Sequence, residues 1–105
     1  MSCAYAIIIS SMRIRIRAFA TIREAIGTGQ TDLEIPDDTD VEGLIKLLTQ
    51  KFGEQFSRLV LAGEGKLAPY VKFLVNGREI DYLDGMRTKL KNMDEVAIIP
   101  PVAGG

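Results

Sequence analysis

The chain has 105 residues, 13 basic and 14 acidic, and a formal net charge of −1. At about 150 residues per domain this is one domain, long enough to bury roughly 60–70% of its unfolded surface. Hydrophobic residues at 47% and charged residues at 26% exclude an intrinsically disordered chain. The balanced charge leaves no bulk field to attract nucleic acid or an anionic membrane. Histidine is absent. Its absence excludes the Ser-His-Asp triad, the Cys-His dyad and nearly all zinc sites. The single cysteine, Cys3, has no internal partner and suits a reducing compartment, so a cytoplasmic location is expected.

Residues 1–11, MSCAYAIIISS, carry no positive n-region and are too short to span a bilayer. They are expected to form an N-terminal extension that is either disordered or lengthens the first strand. Met12–Phe19 alternates Ile14, Ile16 and Ala18 with Arg13, Arg15 and Arg17, which predicts a strand with one buried face. The arginines then line a solvated or partner-facing side rather than a basic patch. Thr21–Ile26 has Ile22 and Ile26 at helical spacing and stops at Gly27, a short helix with a glycine cap. Thr31, Leu33 and Ile35 alternate with acids in a second strand ended by Pro36.

Thr39–Phe52 is the principal helix. Thr39 and Glu42 fit a capping box, and Asp37, Asp38 and Asp40 suit a positive helix start better than a metal site. Val41, Leu44, Ile45, Leu48 and Phe52 make one apolar stripe, with Gly53 as the stop. Glu54–Pro69 reads as a short helix or irregular strand around Phe56, Leu59, Val60 and Leu61. Glu64-Gly65-Lys66 lacks the spacing of a phosphate loop. Val71–Val75 and Arg78–Ile80 flank Asn76-Gly77, a strong hairpin signal. Asp81–Met93 is expected to be a loop with a helical turn, and Glu95–Ile99 a last strand ended by Pro100-Pro101. Strands grouped around one long helix predict an α+β fold, a mixed sheet covered on one face. Its first and last strands would be parallel neighbours.

The last six residues are Pro100-Pro101-Val102-Ala103-Gly104-Gly105. Extended, they reach at most about 20 Å. Two prolines stiffen the exit, and two glycines make an end thin enough for a slot that admits no Cβ. A carboxylate there becomes reactive once coupled to the α-phosphate of ATP. This chain has no nucleotide loop or histidine to catalyse that step. It would be the group carried, and not catalytic alone. A frayed glycine end is the plainer alternative.

These features, with ATIREA at 20–25 and DEVAIIPPVAGG at 94–105, resemble the MoaD/ThiS family of β-grasp, ubiquitin-like sulfur carriers. The resemblance covers Met12–Gly105, and the proline pair places it on the MoaD side, with the small subunits of molybdopterin synthase. It departs from the family at Met93, where glycine is usual; preceding Asn92 predicts a left-handed turn shifted by one residue. The resemblance implies a β-grasp fold of about five strands on one long helix over 12–99, with 100–105 a flexible tail. It implies that a MoeB-like enzyme adenylates the Gly105 carboxylate with ATP and that a sulfur donor protein converts it to a thiocarboxylate. Inside a MoaE-like large subunit, two carriers would then serve in turn to build the dithiolene that binds molybdenum or tungsten. The chain would bind no cofactor itself. Val102, Ala103 and Gly104 would form the narrow approach, and Pro100 and Pro101 would set its exit. Candidates for a partner-binding body surface are Phe73, Val75, Arg15 and Arg17. Alternation opposes the first two to Lys72 and Leu74 without saying which pair points outward. A ubiquitin-like modifier, conjugated to lysines through Gly105, would use the same fold and tail. A plain binding module is the third reading.

Overall fold

A computed structural model describes residues 10–63 and 66–101. Five strands form one mixed sheet in the order β2-β1-β5-β3-β4. They are β1 (Ser11–Ala18), β2 (Gln30–Pro36), β3 (Lys72–Val75), β4 (Arg78–Glu79) and β5 (Glu95–Ile99). Three helices, α1 (Ala20–Ile26), α2 (Val41–Phe52) and α3 (Glu54–Val60), accompany them. Strand β1 is antiparallel to β2 and parallel to β5, and β3 is antiparallel to both β4 and β5. This is the expected β-grasp arrangement, with two short helices beside the long one.

The alternation of β1 is realised without exception. Met12, Ile14, Ile16 and Ala18 are buried, whereas Ser11, Arg13, Arg15 and Arg17 are exposed. The buried side meets Val41, Leu44, Ile45 and Leu48 of α2, together with Ile22, Phe56 and Val60 from the shorter helices. The helices therefore cover one face of the sheet and leave the other open. Burying an aliphatic side chain of this kind contributes roughly 1.5–3 kcal/mol, so the stripe of α2 anchors the domain.

Local chemistry sets the element ends. Helix α1 stops at Gly27, whose φ of 92° lets its N–H return to the Arg23 carbonyl. The cap of α2 is Asp40, not Thr39. Its carboxylate accepts the Gly43 N–H at 2.8 Å. Thr39 instead donates its hydroxyl to the Pro36 carbonyl at 2.6 Å. The acid competes successfully because its charge also complements the helix start. The ambiguous segment after Gly53 resolves as helix α3, followed by a single bridge between Leu61 and Leu67. The connection from β4 to β5 holds single 3-10 turns at Ile80–Tyr82 and Gly85–Arg87. Of the expected extension, Ser11 belongs to β1, and the Ser10 carbonyl accepts the Asp37 N–H. Residues 1–9 lie outside the described part. Among the described residues no helix is long and apolar enough to cross a membrane.

Leu44 is wholly buried at the centre of the helix–sheet interface. Leu44→Ala is expected to cost about 2–5 kcal/mol in denaturant unfolding, and a negligible loss would contradict this packing.

Candidate functional site

The expected reactive end comes after β5, so the site is built from whatever fixes that strand. Strand β5 lies between β1 and β3, where Ile16 pairs with Val96, Ala18 with Ile98 and Lys72 with Ile99. Its start is held by a polar network. The Asp94 carboxylate accepts the Asn76 side-chain amide and the Lys91 N–H, each at 2.8 Å. Asn76 in turn accepts the Glu95 N–H at 2.9 Å, and its own backbone N–H donates to the Glu95 carbonyl. The β3–β4 turn is thereby tied to the loop before β5. Asn76 and Gly77 take φ of 53° and 84°, as the Asn-Gly signal requires of a two-residue turn.

On the other flank, Asn92 accepts the Arg13 N–H at 2.8 Å, and the Met93 N–H donates to the Arg13 carbonyl at 2.6 Å. Met93 itself takes the left-handed conformation, with φ 73°. The shifted turn expected at Asn92 does not occur. Asn92 spends its side chain on β1, and the hydrogen bond to the Arg13 carbonyl holds Met93 in place despite the strain.

At the far end of β5, Pro100 is buried and Pro101 exposed. Val102, Ala103, Gly104 and Gly105 lie outside the described residues. The chain leaves the middle of the sheet, between two neighbours, and not from an edge.

The open face shows which side chains a partner would meet. Leu74, Ala97 and Ile99 point outward, half-buried, along the two strands nearest the exit. Phe73 and Val75, expected there, belong to the core instead, at 1% and 8% exposure. Their cross-strand partners Ile98 and Val96 face the helices, and paired residues share a face, so the parity is fixed. Arg15 and Arg17 do stand on the open face. Arg15 pairs with Asp32 at 3.2 Å and Arg17 with Glu95 at 3.8 Å; Lys72 pairs with Glu79 at 3.4 Å. These exposed pairs contribute little stability, generally under about 1 kcal/mol. They leave an apolar strip with a charged rim, the layout of a recognition surface. Sequence reasoning left Leu74 open as the alternative to Phe73 and Val75, and missed Ala97 and Ile99. The alternation in VKFLV and EVAII was visible, but its parity relative to β1 was not. Among the described residues no group of acids and cysteines is placed to hold a metal ion.

The five-stranded mixed sheet packed on α2 defines a ubiquitin-like β-grasp protein. The model of the ThiS family matches residues 16–105, and the chain belongs to that family. It is 40% identical over 94 residues to small archaeal modifier protein 3 of Haloferax volcanii, covering 90% of this chain and all of the relative. It is 39% identical over 95 residues to a putative sulfur carrier protein of Archaeoglobus fulgidus, with the same coverage. More distantly, it is 28% identical over 96 residues to a molybdopterin synthase sulfur carrier subunit of Drosophila yakuba, covering 90% of this chain and 92% of that one. The solution structure of the Haloferax volcanii HVO 2177 protein superposes with a TM-score of 0.76 at 38% identity, over 90% of this chain and 88% of that one.

Met93 is 73% exposed, so its side chain gives little burial in return for its conformation. A left-handed non-glycine residue costs about 1–2 kcal/mol, and glycine gives back about 0.5–1 in chain entropy. Met93→Gly should therefore stabilise the protein by about 0.5–1 kcal/mol in chemical denaturation; a destabilised variant would mean that the side chain anchors the loop.

Proposed function

We propose that this protein is a sulfur carrier whose Gly105 carboxylate is the working group. The observation that carries the reading is the path of β5. It is pinned between β1 and β3 and continues at once into Pro100-Pro101 and the Gly-Gly end. The family match extending through residue 105 supports it.

The chemistry starts from the carboxylate. One of its oxygens attacks the α-phosphate of ATP in a MoeB-like activating enzyme, and pyrophosphate leaves. The acyl-adenylate has a good leaving group that the free carboxylate lacks. The terminal sulfur of a donor protein's persulfide displaces AMP, and a thiol then reduces the acyl disulfide. Gly105 is left carrying a thiocarboxylate. Gly104 and Ala103 keep the approach narrow, so the partner's slot can be closed to water. The sheet's open face, with Leu74 and Ile99 inside a rim of Arg15, Arg17 and Lys72, supplies the docking surface. Apolar contact there gives affinity, and the rim charges set register and rate.

The proposed destination of the sulfur is a pterin precursor held by a MoaE-like large subunit, giving the dithiolene of the molybdenum or tungsten cofactor. The relationship to molybdopterin synthase sulfur carrier subunits and the proline pair at 100–101 favour it. A second reading is conjugation of Gly105 to lysines of other proteins, favoured by the 40% identity to an archaeal modifier. Both begin with the same adenylate.

The test is cofactor synthesis in cells lacking the natural chain. The intact protein is expected to restore it. Deletion of Gly105, or one residue added after it, should abolish it without changing the melting temperature. Normal cofactor production by the truncated chain would overturn the proposal.

A further inference from the structure

The turn leading into β3 contravenes its own chemistry. The Val71 N–H donates to the Ala68 carbonyl at 3.3 Å, closing a four-residue turn. Pro69 takes its second position and Tyr70 its third, with φ 69°. Proline followed by positive φ is the type II pattern, in which the third position favours glycine or asparagine. A bulky residue there is strained. Tyr70 gains no burial in exchange, since it is 78% exposed. Folding alone gives no reason for an aromatic ring at this position, and departures of this kind concentrate at functional sites.

A second exposed ring stands across β5. Phe19 directly follows β1, 39% exposed, and Ala20 beside it holds a positive φ of 50°. The Arg17 guanidinium lies 5.7 Å from the centre of the Phe19 ring. Register places the two rings. Ala18 pairs with Ile98 on one side of β5, and Lys72 pairs with Ile99 on the other. Phe19 is the residue after Ala18, and Tyr70 comes two before Lys72. They flank the chain where Pro100 and Pro101 leave the sheet. A surface that closed from both sides on the chain at Pro100 and Pro101 would meet these two residues.

We propose that Tyr70 and Phe19 form an aromatic lip at the root of the tail, seated against an apolar rim around the tail slot of the activating enzyme. The inference rests on Gly105 being the activated group. It commits to the activating enzyme because adenylation precedes every later fate of that carboxylate. Rings held in place beforehand give large contact area at small entropic cost, which suits them as interface anchors. Arg17, stacked on Phe19, places a cation at the lip's margin, where a carboxylate on the rim would complement it.

ATP–pyrophosphate exchange by the activating enzyme of the same organism, with the full chain as substrate, tests this. Tyr70→Gly is expected to raise the KM for the chain about tenfold, with kcat within about twofold. Its melting temperature should be unchanged or higher, because glycine relieves the turn. Tyr70→Phe should keep the wild-type KM, and Phe19→Ala should raise it as Tyr70→Gly does. Wild-type KM values for Tyr70→Gly and Phe19→Ala would overturn the lip while leaving the role of Gly105 intact. A raised KM accompanied by a lowered melting temperature in Tyr70→Gly would make the ring structural and also overturn it. No exchange with the intact chain would overturn the activation of Gly105, and the lip with it.

Discussion

The parallel pairing of β1 with β5 is the constraint on which the rest of the molecule depends. Two parallel neighbours cannot be joined by a tight turn, so the chain must travel away and return. Helix α2 is the main part of that return, and its stripe from Val41 to Leu48 covers the sheet it crosses. With β5 set between β1 and β3, the tail leaves from the centre of the sheet. The Asn76–Asp94 and Arg13–Asn92 hydrogen bonds fix where β5 begins, and its ladders fix where Pro100 stands.

This arrangement divides the work between the two faces. The helix-covered face holds the apolar residues that stabilise the domain. The open face has exposed ion pairs of small energetic value around Leu74, Ala97 and Ile99. With its apolar strip inside a charged rim, this face is suited to recognising a partner. Under the proposed function the reactive group is the carboxylate of Gly105, and catalysis belongs to the enzymes that receive it. Met93 and Tyr70 both carry a strained backbone. The first is held by its hydrogen bond to the Arg13 carbonyl, and the second has no comparable reward within the fold.

Much of the fold was legible because its periodicities are regular. The alternation of Arg13–Ala18, the stripe of α2, Asn76-Gly77 and the glycine after Ile26 each point to the right element. The illegible parts depend on long-range register. Phe73 and Val75 look like partner-surface candidates in the sequence, yet their pairing with Ile98 and Val96 turns them inward. Asp40 displaces Thr39 as the cap because neighbouring acids and hydroxyls offer competing registers that differ by one residue. Asn92 suits a left-handed turn, but its amide has a better use against β1. The reading of Val102–Gly105 rests on composition and on the family resemblance, and these residues lie outside the described part.

The central claim is that Gly105 carries sulfur, and the most direct measurement is the intact mass of the protein taken from its native source under denaturing conditions. The account predicts a fraction of molecules heavier by the exchange of one oxygen for sulfur, with the change confined to the C-terminal glycine on fragmentation. Molecules joined through Gly105 to lysines of other proteins, with no sulfur form detectable, would contradict it in favour of a modifier. A chain unmodified both as isolated and after incubation with ATP, activating enzyme and a persulfide donor would contradict it altogether.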